Sequence, residues 1–135
     1  MDFKHQDITN LVIKAFYNVY NILGYGFLER VYERSMMIEL RSLGLICERP
    51  KLLKVNYKGF NVGEYFADII VETKVIIELK AAESLVEEHS AQLLNYLRAT
   101  EIEVGLLLNF GKEPKFKRLI FDNQFKSPLR SVPSV

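Results

Sequence analysis

Apolar residues recur at three- and four-residue steps near the start of the chain: Ile8, Leu11, Val12, Ala15, Phe16, Val19, Ile22 and Leu23. This spacing predicts a helix over 8–23, with Asp7 or Thr9 as its cap. Gly24-Tyr25-Gly26 breaks it, and a second helix is predicted over 27–43, apolar at Val31, Met36, Ile38 and Leu40 and stopped by Gly44. From Leu45 the period falls to two. Residues 46–57 read as a strand, with Pro50 at an edge or a bend, and Lys58-Gly59 as a turn. Residues 62–71 and 75–80 read as two further strands joined by the short turn Glu72-Thr73-Lys74. Helical spacing returns over 86–100, with Leu93, Leu94 and Leu97 on the apolar side. Residues 104–110 are almost unbroken apolar sequence, as in a strand covered on both faces, and 115–121 alternate as a more exposed strand does.

The predicted order is therefore ααβββαββ. Its β–α–β step implies two parallel strands joined by a right-handed crossover. The fold class that follows is α/β, a mixed central sheet with flanking helices. One domain is expected over 1–122, followed by a loosely ordered tail over 123–135 that contains Pro128 and Pro133.

Composition narrows the class of protein. Of 135 residues, 49% are hydrophobic and 26% charged, which excludes a disordered, collagen-like or low-complexity chain. No apolar run approaches the ~20 residues of a membrane-spanning helix. The single cysteine, Cys47, cannot form an internal disulfide, and Met1–Gln6 lacks a signal pattern, so the expected location is cytoplasmic. The net charge of +1 is uninformative, but its distribution is not. Residues 61–110 hold nine acids against three bases; residues 51–60 hold three lysines and no acid; residues 111–135 hold six bases against two acids. An acidic centre between basic flanks suits a metal site beside a phosphate-binding rim, although ordinary surface variation gives the same pattern. Lys51, Lys54 and Lys58 on one flank and Lys112, Lys115, Lys117 and Arg118 on the other can contact phosphates or simply guard edge strands. The chain has no zinc-finger spacing, aromatic RNA-binding signature, phosphate-binding glycine loop or nucleophilic-cysteine constellation.

The chemistry concentrates in residues 66–80. Across a hairpin with turn 72–74, Val71 opposes Val75, Ile70 opposes Ile76 and Asp68 opposes Glu78. Opposed side chains have Cβ atoms about 5 Å apart, so two carboxylates meet among Ile, Val, Ala and Leu neighbours. Lys80 lies two residues beyond Glu78 and points to the same face. Such a pair is costly unless a cation offsets it. Lys80 offsets one acid, whereas a divalent ion with hard oxygen ligands, Mg²⁺ above all, offsets both. A structural cross-strand ion pair is the competing reading.

Asp68 followed by Glu78-Leu79-Lys80 resembles the PD-(D/E)xK nuclease core, with Ala67 in place of the proline. Gly26-Phe27-Leu28-Glu29-Arg30-Val31-Tyr32 resembles the signature of the small GxxExxY proteins of that superfamily. His89-Ser90-Ala91-Gln92-Leu93-Leu94-Asn95-Tyr96-Leu97 resembles the motif of their following helix. The resemblance spans about residues 8–121 and implies a restriction-endonuclease-like core. It implies that Asp68 and Glu78 ligate Mg²⁺ (or Mn²⁺ in its place), with the Leu79 carbonyl as a third ligand. Lys80 is then the catalytic lysine, with Glu29 and Gln92 facing the site. His89, Gln92 and Tyr96 share one helical face, as do Glu29 and Tyr32. Against these stand a solvated face for His89, a dipole-stabilising first-turn acid for Glu29 and a core aromatic for Tyr32.

Three functions follow as expectations. One is a Mg²⁺-dependent nuclease-like enzyme hydrolysing phosphodiesters in DNA or RNA. Another is an inactive or partner-dependent nucleic-acid or protein-binding module on a nuclease fold, for which a homodimer or a partner protein would supply the missing specificity. The last is an interaction protein whose Asp–Glu–Lys cluster is structural.

Overall fold

The computed structural model of the chain describes residues 4–49 and 51–126, with the backbone alone at Lys51. Helix α1 (Gln6–Leu23) is followed by α2 (Glu29–Ser42), then by β1 (Cys47–Glu48), β2 (Lys51–Tyr57), β3 (Phe60–Ala67), β4 (Ile69–Val71) and β5 (Val75–Lys80). Helix α3 (Glu87–Arg98) leads to β6 (Val104–Phe110) and β7 (Pro114–Ile120). The strands form a five-stranded sheet in the order β1-β4-β5-β6-β7 and a separate two-stranded sheet, β2-β3. Among the described residues only β5 and β6, joined through α3, run parallel; every other pair is antiparallel. The fold is α/β with mixed pairing, as the sequence predicts.

The differences lie at the boundaries. Each of the two long strands expected before residue 72 is divided. The first divides between Glu48 and Lys51, and Pro50, the expected edge or bend, lies outside the described residues. The second breaks at Asp68, where the chain bends between β3 and β4. As a result β2 and β3 leave the main sheet and pair only with each other. Helix α1 starts earlier than its apolar stripe, because the stripe marks only the buried face. His5 takes the cap position in the left-handed region (φ 53°) without a side-chain cap, which places Asp7 and Thr9 inside the first turn. Helix α2 starts at Glu29 rather than Phe27, whose N–H is taken by the Tyr32 hydroxyl at 3.2 Å. It ends as expected, with Gly44 at φ 82° and the Leu45 N–H turned back to Leu40 O at 3.1 Å.

Two cores sandwich the sheet. On one face, α1 and α2 pack Val12, Phe16, Met36 and Leu40 against Ile69, Ile77, Leu79, Leu106 and Leu108. On the other, α3 packs Leu93 and Leu97 against Ile70, Ile76 and Leu107. This alternation explains the apolar runs of β5 and β6: successive residues enter different cores, so nearly all must be apolar. It also fixes the orientation of Glu78, which lies between Ile77 and Leu79 and therefore faces α3. At the C-terminal end, residues 123–125 form a 3₁₀ turn, and the Lys126 ammonium donates to the carbonyls of Thr100 and Ile102 at 3.0 and 2.6 Å. The remainder of the predicted tail, 127–135, lies outside the described residues.

Candidate metal centre

The register of β4 against β5 is Ile69↔Ile77, Ile70↔Ile76 and Val71↔Val75. One step further, at the bend, it sets Asp68 against Glu78. Two hydrogen bonds fasten the pair to the opposite backbone. Asp68 Oδ2 accepts the Leu79 N–H at 2.7 Å, and Glu78 Oε1 accepts the Asp68 N–H at 3.4 Å. The bend is what frees Asp68 for this: a residue inside a straight ladder would turn its side chain away from the partner backbone.

Glu78 is only 5% exposed. Desolvation, and then the charge of Asp68, push its carboxyl up to about 8. Asp68 is raised as well, first by desolvation and then by the charges of Glu33 and Glu29, while the Leu79 N–H and Lys80 pull it back. The Lys80 ammonium thus acts on both acids. Among the described residues, however, Lys80 forms no ion pair within 4.0 Å of either one. This separates the arrangement from the cross-strand salt bridge that the sequence also allows. A buried Glu78 carboxyl faces the half-buried Asp68, and the nearby lysine makes an ion pair with neither.

Helix α2 brings Glu29 to the site through its charge on Asp68. One turn later it brings Glu33, whose Oε1 holds Arg49 Nη1 at 3.0 Å. From α3, Gln92 Nε2 donates to the Tyr96 hydroxyl at 2.5 Å. Desolvation raises Tyr96, and the charges of Glu78 and Asp68 add to this, so the tyrosine borders the carboxylates. Tyr65 of β3 stacks on Tyr96 at 3.8 Å between ring centroids and donates to its carbonyl at 3.3 Å. Asp68, Glu78, Leu79, Lys80, Glu29, Gln92 and Tyr96 therefore gather around one corner of the sheet.

Two predicted residues stand elsewhere. His89 Nδ1 accepts the Val86 N–H at 3.2 Å, which makes it part of the start of α3. Tyr32 is wholly buried on the opposite face of the sheet, stacked on Phe110 at 4.1 Å, with its hydroxyl donating to Gly24 O at 2.8 Å. It pins the 24–28 loop as a core aromatic. Sequence reasoning missed four residues. Glu33 had a signal, being one turn beyond Glu29 on the same face. Asn109 of β6, which lies beside Lys80 across the parallel ladder, had one too, as the lone polar residue in an apolar strand. Arg49 and Tyr65 had none, since only the tertiary fold brings them in.

The donor set fits a hard divalent cation. Asp68 and Glu78 offer carboxylate oxygens, and Leu79, whose N–H is bound by Asp68, is the backbone residue between Glu78 and Lys80. Among the described residues no group of three or more His, Cys, Asp or Glu is placed to hold an ion. A cation here would rest on two carboxylates and backbone oxygen, with waters completing its shell.

A mixed sheet with helices on both faces, carrying opposed acids and a lysine at the end of its central hairpin, defines a nuclease-like α/β domain. The family model described as the PD-(D/E)XK nuclease superfamily matches residues 6–119, and the chain belongs to that superfamily. Nucleases of this superfamily generally use divalent metal ions. Comparison with curated proteins and with solved structures gives no match. No helix among the described residues is long and apolar enough to cross a membrane.

Proposed function

We propose that the protein hydrolyses phosphodiester bonds in nucleic acid with Mg²⁺, or Mn²⁺ in its place, and that it belongs to the GxxExxY group on the strength of Gly26, Glu29 and Tyr32. The observation that carries this reading is the juxtaposition of the buried Glu78 and the half-buried Asp68, each hydrogen-bonded to the other's strand, with Lys80 two residues beyond Glu78 on the same face. Asp68, Glu78 and the Leu79 carbonyl would hold the metal. A bound divalent ion supplies Lewis acidity toward a phosphate oxygen and lowers the pKa of a coordinated water.

The protein's own groups do the rest. The Lys80 ammonium lies one side-chain step beyond Glu78, where it orients the attacking water and stabilises charge developing on the phosphate. Glu29 adds negative charge on the α2 side and steadies a cation and its waters. The Gln92–Tyr96 pair, braced by Tyr65, borders the α3 side and offers hydrogen-bonding groups there.

The test is calorimetric titration of Mn²⁺ and Mg²⁺ into the wild type and into Asp68→Ala combined with Glu78→Ala. A parallel cleavage assay uses labelled DNA and RNA oligonucleotides. Metal binding lost in the double variant, with metal-dependent cleavage lost in Lys80→Ala, supports the reading. A folded wild type that binds neither ion overturns it in favour of a binding module.

A further inference from the structure

Beyond the carboxylates, the α3 face of the sheet carries a cleft of about 610 Å³. Residues 83–85 of the loop leaving Lys80 form one wall, and Lys112, Lys115 and Lys117 line the other. Strand register ties it to the metal centre. Lys80 lies beside Asn109 and Asn109 beside Lys115, while Glu78 lies beside Leu107 and Leu107 beside Lys117. Because side chains alternate, all six share the α3 face. At about 4.8 Å per strand, Lys115 lies about 10 Å from Lys80 along one row. Lys115 and Lys117 are about 7 Å apart along β7.

The loop wall is built rather than incidental. Asn109 is 1% exposed; its Oδ1 accepts the Ala82 N–H at 2.9 Å and its Nδ2 donates to Ala82 O at 3.0 Å. Gly111 is needed for this approach, since a Cβ there would lie 2.7 Å from Ala82 O. The Tyr20 hydroxyl braces the same turn from α1, 2.7 Å from Gly111 O and 2.6 Å from Lys112 O.

The acids facing the cleft are Glu83 and Glu113. Glu113 meets Lys115 at 3.5 Å, but both side chains are mostly exposed, so the pair yields readily to a better anion. Phe116 also lines the cleft, but its side chain alternates with Lys115 and Lys117, so its ring is directed to the other face, where it meets Tyr17. The cleft thus offers cations without a stacking platform, which suits phosphates and not bases.

We propose that this cleft holds the sugar–phosphate backbone of the nucleic-acid strand flanking the bond at the metal centre, with Lys115 and Lys117 on neighbouring phosphates. The identity of the ligand rests on the proposed function; the cleft itself does not. Recognition is by charge and independent of base sequence.

The test is fluorescence anisotropy in EDTA with labelled 20-mers, single-stranded and duplex, over a range of salt. Wild type is compared with Lys115→Ala/Lys117→Ala and with Lys14→Ala/Lys74→Ala, which removes the same charge elsewhere. The cleft variant is expected to bind at least several-fold more weakly. Its log K against log[salt] slope should be shallower by about 1.5, two contacts at about 0.7–0.9 each, with the control unchanged. The strand form bound more tightly identifies the source of the backbone. Equal binding by the cleft variant and the wild type, or no binding by either, overturns the cleft and makes these lysines guards of an edge strand. Cleavage in Mg²⁺ is scored separately. Binding through the cleft without turnover keeps the cleft and overturns hydrolysis, and turnover without cleft-dependent binding does the reverse.

Discussion

Replacing Glu78 by Gln should make the metal-free protein more stable. The unfolded carboxyl ionises near 4.5, but in the fold it keeps its proton up to about 8. Between those values the folded chain binds a proton that the unfolded chain releases, so stability is fully present below about 4.5 and falls as pH rises through the window. At pH 7 the fold forgoes about 2.5 pH units of ionisation, which at 1.36 kcal/mol each is a penalty of about 3 kcal/mol. Gln removes it and keeps the shape. Its Oε1 can still accept the Asp68 N–H, and its Nε2 can donate toward the Asp68 carboxylate. A chain of 135 residues shifts its midpoint by about 3–4 °C per kcal/mol. Thermal melting in EDTA should therefore show Glu78→Gln about 10 °C above wild type at pH 7 and within about 3 °C of it at pH 5. Added Mg²⁺ should raise the wild type by mass action and leave the variant in place. A variant that melts below wild type, or a difference that does not grow with pH, would refute the reasoning that the buried Glu78 carboxyl is held protonated beside Asp68.

Other consequences can be measured alongside. Lys80→Met should cost at least 100-fold in cleavage yet move the melting midpoint by only a few degrees, because no ion pair is broken; a large loss of stability would restore the structural reading. Tyr32→Phe should cost about 1–2 kcal/mol in urea unfolding, since Gly24 O and Phe27 N–H lose their partner, without changing Mn²⁺ affinity by calorimetry. Asn109→Ala should cost about 2–3 kcal/mol, as both polar groups of Ala82 lose their bonds, and should speed amide exchange across residues 81–86.

Much of the centre was legible because its logic is local. The three-residue turn at 72–74 and the period of two together force Asp68 to oppose Glu78, and the observed register continues that pattern. Three helices and the strands of the two cores follow from apolar spacing for the same reason. What escaped was set by tertiary context. Phe66-Ala67-Asp68-Ile69 reads as continuous strand, since one acid in a β-prone run carries no sign that the chain will bend there. The departure of β2 and β3 from the main sheet follows from that bend and was equally hidden. His89 shares a face with Gln92 by spacing, but the helix begins close enough to it that capping Val86 takes its ring. Arg49 could not be found, because its partner Glu33 comes from another element.

The bend at Asp68 also bears on the motions of the molecule. The β2–β3 hairpin exposes almost all of β3 and reaches the body through the buried Ala67 at its end, Leu53 and the Tyr65–Tyr96 stack. Such an appendage opens as its own cooperative unit, well below the free energy of global unfolding. Its root is the residue that binds Leu79 and faces Glu78. A cation gripped at Asp68 would therefore act as a latch on the arm, and amide hydrogens over residues 52–66 should exchange early in EDTA and slow when Mg²⁺ is added.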